Sequence, residues 1–306
     1  MRVLVVANPR ATATSARQRR VLVDALGHAA SVVVEETANR GHAAALACRA
    51  MRERVDVVVA LGGDGTVNEV VNGVLTDGIH KHVPAVGVVP AGSTNVFARA
   101  LGLPNDPIEA TGVLLEALTA QRRRSISLGR ADDRWFLFSA GYGFDAAVVA
   151  SVEKARRRGT RSTHSLYVRS ALREFMAKAN RKASITLLRA DGTEQTDLHM
   201  AIISNVSPWT FLGNRPITPT PSATFDNGLS LYARRSMGLA SLSRGLSQIV
   251  AENHAPRGRG VLIEEDLPGF VLRSEQPIAF QVDGDYLGDR TEIRFWGIPH
   301  ALSMVV

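Results

Sequence analysis

One cysteine stands among 306 residues, which excludes a disulfide framework and any zinc site built on cysteines. Cys48 lies in an apolar-periodic stretch, where it reads as core filler in a reducing compartment. Long hydrophobic runs are also missing. The opening MRVLVVANP is too short an apolar run for a signal peptide, and nothing approaches the roughly 20 residues a membrane-crossing helix needs. A soluble, cytoplasmic protein is the expectation. Lysine is scarce, 4 against 32 arginines, a bias that reflects genome composition more than chemistry. No segment repeats, no stretch is rich enough in Pro or Ser to be a free linker, and G-x-x-x-x-G-K-[ST] is absent, which excludes a P-loop.

Acidic residues are missing from one place in particular. Between Lys154 and Lys182 ten basic residues face one acid, Glu174, so this segment carries more than the whole net charge of +7. Aromatics are not regularly interleaved with the basic stretch, which argues against nucleic acid. Peripheral contact with an anionic membrane face is one reading. The other is a packed helix with a solvated basic face, since Leu166, Val168, Leu172, Phe175 and Met176 fall near helical spacing.

The apolar content, 45%, is enough for a large core, and the length suggests two domains. Up to about residue 125, strand-like and helical stretches alternate. RVLVVA (2–7), SVVVEE (31–36), VDVVVALG (55–62) and PAVGVVP (84–90) read as strands. Helices follow over 15–29, 41–54, from about Val67, and near 94–101 and 107–120. That alternation predicts an α/β domain with a parallel, Rossmann-like sheet. From residue 126 the pattern becomes short strand candidates divided by Gly, Pro, Asp and Asn, with helices only near 144–153, 163–181 and 239–252. A mostly antiparallel β-sandwich domain is predicted over 126–306, with the return of its last strand to the first domain left open.

Ligands of an open parallel sheet collect at the carboxyl ends of its strands. Three polar loops fall there: Asn8-Pro9, Gly62-Gly63-Asp64-Gly65-Thr66, and Pro90-Ala91-Gly92-Ser93-Thr94-Asn95. Each precedes a helix whose first amides attract anions, and glycine lets the backbone approach a phosphate. Asp64 can hold Mg²⁺ directly or through water. Gly141-Tyr142-Gly143-Phe144-Asp145-Ala146 fits the dinucleotide pattern G-x-G-x-x-A. No acid follows at the required spacing, so Asp145 is expected to cap the next helix or face a substrate cleft.

Asn8-Pro9, GGDGTVNEVVNG (62–73), PAGSTN-x-FAR (90–99), GYGFDA (141–146), FDNGLSLY (225–232) and VDGD (282–285) follow in an order that resembles the bacterial diacylglycerol kinase family, whose catalytic domain is shared with sphingosine and ceramide kinases. The resemblance implies an α/β domain that binds ATP and Mg²⁺ at the GGDGT segment, a C-terminal β-sandwich, and a lipid alcohol as acceptor between them. It implies ATP contacts at Asn8, Pro9, Thr37, Gly62, Gly63, Asp64, Gly65, Thr66, Asn68, Gly92 and Ser93. It makes Asp64 the organiser of metal and phosphates and Asp285 the general base on the acceptor hydroxyl. The competing reading of Asp283-Gly284-Asp285 is a hairpin turn, and a hairpin tip can also deliver a carboxylate.

Three positions depart from the family pattern. Val96 replaces an aspartate near the nucleotide. Asp285 replaces the usual glutamate and is one methylene shorter. The second, structural metal motif reads Asp226-Asn227-Gly228, so its ligands would be Asn227 with the carbonyls of Thr224 and Leu229, or Asp226 in substitution. Three rival functions follow: an NAD kinase, which shares GGDGT; a nucleotide- or lipid-binding protein without turnover; and a nucleic-acid binder. The lipid kinase leads, with a homodimer left open.

Overall fold

Three of the valine-rich runs of the first half, those at 2–7, 57–62 and 85–90, form strands buried on both faces, as a parallel sheet covered by helices requires. In order the elements are β1 (Arg2–Ala7), α1 (Ala16–Gly27), β2 (Ser31–Glu36), α2 (His42–Arg52), β3 (Val57–Gly62), α3 (Asp64–Val74), β4 (Ala85–Pro90), α4 (Val96–Ala100) and α5 (Pro107–Thr119). The structure is a computed structural model describing residues 1–12, 14–157, 185–235, 248, 256–258 and 260–306. Its chain divides into two compact units, residues 1–128 with 299–306, and residues 129–298.

In the first unit the strands run β4-β3-β1-β2, all parallel. Val305 N also donates to Val86 O at 2.9 Å, tying the end of the chain to β4. Val5, Val57, Val59, Leu61 and Val89 are completely or almost completely buried against Leu26, Leu114 and Leu118. The helices begin where side chains satisfy their first amides. Ser15 and Gln18 form a capping box at α1. Asp106 accepts from Ile108 N and Glu109 N at α5, with Pro107 at the first helical position. Strand β2 is the exposed edge.

The second unit is rich in antiparallel strands. Its elements are β5 (Arg124–Ala131, entering from the first unit), β6 (Arg134–Phe136), β7 (Ser139–Gly143), α6 (Phe144–Arg157), β8 (Ile185–Arg189), β9 (Glu194–Leu198), β10 (Met200–Ser204), β11 (Thr210–Leu212), β12 (Arg215–Ile217), β13 (Leu229–Arg234), β14 (Val261–Leu267), β15 (Gly269–Val282) and β16 (Asp285–Met304, leaving to the first unit). Strand β7 lies between β10 and β15, and β13 and β14 continue beyond β10. Phe136, Tyr142, Leu187, Leu231, Leu272 and Phe295 build its core.

Several elements differ from the pattern read in sequence. Helix α3 begins at Asp64, three residues before the expected Val67, because an acid in the first turn complements the helix dipole. The GGDGT segment is therefore a strand-to-helix junction with Gly63 alone between the two elements. FVLRS and PIAFQV form one strand, β15, whose pairing with β16 shifts register between Arg273 and Ile278. Strands β9, β11 and β12 went unread, β9 because it is mostly polar and β11 and β12 because three residues each show no alternation. Residues 158–184, and with them most of the basic segment 154–182 and the helix expected over 163–181, lie outside the described residues. So does nearly all of the helix expected over 239–252.

Candidate functional site

The parallel order of the first unit brings the carboxyl ends of β1, β2, β3 and β4 to one edge of the sheet. Asn8, Thr37, Gly63 and Ala91 each follow one of those ends. Backbone bonds continue the ladder past the strands: Asn8 N to Leu61 O, Thr37 N to Ala7 O and Ala91 N to Gly62 O, all 2.9 Å. Side chains then join the loops. Asn8 Nδ2 donates to Thr66 Oγ1 at 3.2 Å, and Asn8 Oδ1 accepts from Arg10 N at 2.9 Å.

The two glycine segments pack backbone to backbone. A Cβ built on Gly92 would stand 2.6 Å from Gly63 Cα, and one on Gly63 would stand 3.1 Å from Gly92 Cα. A Cβ on Gly62 would collide with the Thr66 side chain. Asn95, at φ 51°, closes the second segment through its own amide: Oδ1 accepts from Gly92 N and Nδ2 donates to Gly92 O. The N-terminus of α3 has no side-chain cap. A helix N-terminus that no side chain caps, beside two glycines with no Cβ, is a site suited to phosphate. Pro9 and Ser93 flank this edge, Ser93 exposed, while Asn68 is buried and its side-chain oxygen accepts from Asn72 Nδ2.

Asp64 is committed within the protein. Its two carboxylate oxygens accept from Val96 N and Phe97 N, each at 3.0 Å, so it caps α4 and couples the β3–α3 junction to the 91–95 loop. Burial pushes its carboxyl above the usual range, and donation from the amides of Phe97, Val96 and Asn95 pulls it back. A direct Mg²⁺ bond would compete with those amides. The donor set thus fits a cation held chiefly by phosphate oxygens better than one bound directly by Asp64. Val96 contributes only its amide here.

One residue of this edge escaped the sequence reading. Glu69 accepts from Gly41 N at 2.8 Å and Ala43 N at 3.2 Å, capping α2 from another helix and fixing the segment that carries Thr37. The available signal was the glycine at 41, a cap position with no side chain of its own, which the structure holds at φ 85°.

In the second unit Asp283 and Gly284, at φ 48° and 82°, make the two-residue turn between β15 and β16, and Val282 pairs with Asp285. The turn reading is therefore correct, and Asp285 is the first residue after it, partly buried. Asp283 is buried and accepts from Leu137 N (2.8 Å), Phe138 N (3.1 Å) and Ser139 N (3.1 Å). Asp145, 7% exposed, lies in the first turn of α6 and accepts from Gln281 Nε2 at 2.9 Å. Burial pushes its carboxyl up to about 6.

The expected second metal segment is a turn held by hydrogen bonds. Thr224 O accepts from Asn227 N, Thr224 Oγ1 from Asp226 N, and Asp266 Oδ1 from Gly228 N at 2.7 Å. Asp226 and Asn227 are exposed, whereas Leu229 is buried at the start of β13. Among the described residues no group of three or more His, Cys, Asp or Glu converges to hold a metal ion. Nor is any helix among them long and apolar enough to cross a membrane.

Residues 2–131 match the family model described as the diacylglycerol kinase catalytic domain, which bears out the resemblance read from the motifs. The chain is similar to a diacylglycerol kinase of Staphylococcus aureus strain bovine RF122 / ET3-1, 36% identical over 148 residues, 46% of this chain and 44% of that one. It is 41% identical over 103 residues to that of strain Newman, 34% of this chain and 30% of the other. The chain thus spans less than half the length of the curated relatives it matches. A solved diacylglycerol kinase structure from Bacillus anthracis str. Sterne gives a TM-score of 0.74 at 17% identity, covering 99% of this chain and 96% of that one, a likeness of fold.

Proposed function

We propose that this chain, which carries the diacylglycerol kinase catalytic domain pattern over residues 2–131, is an ATP-dependent lipid kinase. It transfers the γ-phosphoryl group of ATP to the hydroxyl of a lipid alcohol, diacylglycerol foremost, giving phosphatidic acid. The observation that carries this reading is the close approach of Gly63 and Gly92 beside the uncapped N-terminus of α3.

In this proposal the first amides of α3 bind phosphate oxygens, and Gly62, Gly63, Gly65 and Gly92, having no Cβ, let the backbone approach them. Asn8, Pro9, Thr37, Thr66, Asn68 and Ser93 line the nucleotide. Asp64 holds the two loops in register. Mg²⁺, when bound with the nucleotide, neutralises charge on its phosphates. Asp285 takes the proton of the acceptor hydroxyl as its oxygen bonds to the γ-phosphorus. The bond from that phosphorus to the bridging oxygen breaks, and ADP leaves. Most of the rate comes from positioning and charge neutralisation, the base adding about 10²–10⁴-fold. The basic segment 154–182 would hold the enzyme on an anionic membrane surface.

The test is transfer from radiolabelled ATP to a panel of lipid alcohols with NAD as control. Lipid phosphorylation is expected, and Asp285→Asn should lower it at least about 10²-fold with nucleotide affinity unchanged. Phosphorylation of NAD alone, nucleotide binding without transfer, or normal turnover by Asp285→Asn would each refute a part of this reading.

A further inference from the structure

Gln281 uses both ends of its side-chain amide inside the second unit. Its Nε2 donates to Asp145 Oδ2 at 2.9 Å, and its Oε1 accepts from Gly284 N at 2.9 Å. It is 2% exposed, so water does not substitute for either partner freely. The two bonds also fix which way the amide points. A carboxylate demands the nitrogen on its side, and a backbone N–H demands the oxygen on the other.

The surroundings are shaped to this contact. Gln281 of β15 pairs with Gly141 of β7. A Cβ at Gly141 would collide with both Asp145 Oδ2 and Gln281 Nε2. Glycine at 141 therefore makes the room that the pair occupies. Asp145 is held as a buried carboxyl with its affinity for a proton raised to about 6, a cost that simple apolar packing at the start of α6 would avoid.

The turn that Gln281 reaches is held from two sides. The Asp283 carboxylate fastens it to the amides of residues 137–139, and Gln281 fastens the next residue, Gly284. Asp285 follows at once. Its side chain is one methylene shorter than glutamate, so its reach depends more on where the backbone stands, and a shift of about 1 Å costs on the order of 10²-fold in rate.

We propose that Asp145 and Gln281 are positioning residues that set the Asp283–Gly284 turn and thereby aim Asp285 at the acceptor hydroxyl. The aim of Asp285 rests on its assignment as the base. The setting of the turn does not.

The experiment measures steady-state transfer and amide hydrogen exchange at Gly284 in the full chain. Gln281→Met, close in volume and unable to make either bond, should lower kcat about 10- to 100-fold and leave KM for ATP within about twofold. Exchange at Gly284 should rise at least about tenfold, since the amide loses its acceptor. Asp145→Leu should act in the same direction. Asp145→Asn, which keeps an oxygen for Gln281 Nε2, should recover most of what Asp145→Leu loses. Wild-type kcat and Gly284 protection in Gln281→Met would overturn the proposal, as would an Asp145→Asn variant as damaged as Asp145→Leu. Should Gln281→Met fail to fold, the Asp145 pair decides by the same two readouts. If the wild type transfers nothing, the kinase reading falls, and Gly284 exchange alone still decides whether Gln281 sets the turn.

Discussion

Replacing Asp145 by Asn should change stability in a strongly pH-dependent way. Burial raises the carboxyl from 3.8 to about 6 in the folded protein, whereas the unfolded chain titrates near the ordinary aspartate value. Between those values the folded state binds the proton more tightly, so folding is favoured by protonation. That contribution is fully present below about pH 4 and lost as pH rises through about 6. Roughly two pKa units at 1.36 kcal/mol each give about 3 kcal/mol of stability lost by neutral pH. Asparagine cannot ionise, and like the protonated acid it keeps an oxygen for Gln281 Nε2 and brings donors, two N–H in place of one O–H, that must find partners. The variant should therefore match the wild type near pH 4 and exceed it by up to about 3 kcal/mol at pH 8. For a unit of this size that corresponds to a melting temperature about 6–12 °C higher. Calorimetry or urea unfolding of both chains from pH 4 to pH 8 measures the divergence. Parallel curves across that range would refute the reasoning, since the buried carboxylate would then carry no pH-dependent cost.

Asp283 should behave in the opposite manner, as a structural acid. Asp283→Ala leaves the buried amides of Leu137, Phe138 and Ser139 without their acceptor, and at about 1–3 kcal/mol per unsatisfied group the loss should be at least about 3 kcal/mol at neutral pH. A melting temperature within 2 °C or so of the wild type would contradict that role. Gly92→Ala would bring a methyl to 2.6 Å from Gly63 Cα and 2.8 Å from Asn95 Oδ1, so the two segments must separate. Affinity for a fluorescent ATP analogue should fall about 5- to 150-fold, from a strain of about 1–3 kcal/mol. Gly112→Ala, on α5 with open space around the new atom, should leave that affinity alone, and equal affinity in all three chains would remove the 62–92 contact from nucleotide binding.

Much of the first unit was legible from local pattern. Buried parallel strands announce themselves as runs of Val, Leu and Ala, and the helices between them show apolar periodicity and caps such as Asp106-Pro107. Asn8, the 62–66 segment and Pro90–Asn95 could be assigned to one edge, because parallel strands put all their carboxyl ends together. The Asp283-Gly284 dipeptide likewise marked its turn, since few residues tolerate positive φ at both positions. What each acid does at those places was decided only in three dimensions. Asp64 read as a carboxylate that serves Mg²⁺ directly or through water, and only the fold set its oxygens against the amides of Val96 and Phe97, 32 and 33 residues onward. Glu69 was one charge on an amphipathic helix until α2 began beside it, and Gln281 was an unremarked polar residue in a strand. Asp283 and Asp285 differ little as sequence, yet one faces three buried amides contributed by residues more than 140 positions earlier. Strand and helix follow from periodicities a few residues long, whereas a hydrogen-bond partner depends on which distant backbone the fold sets against the side chain.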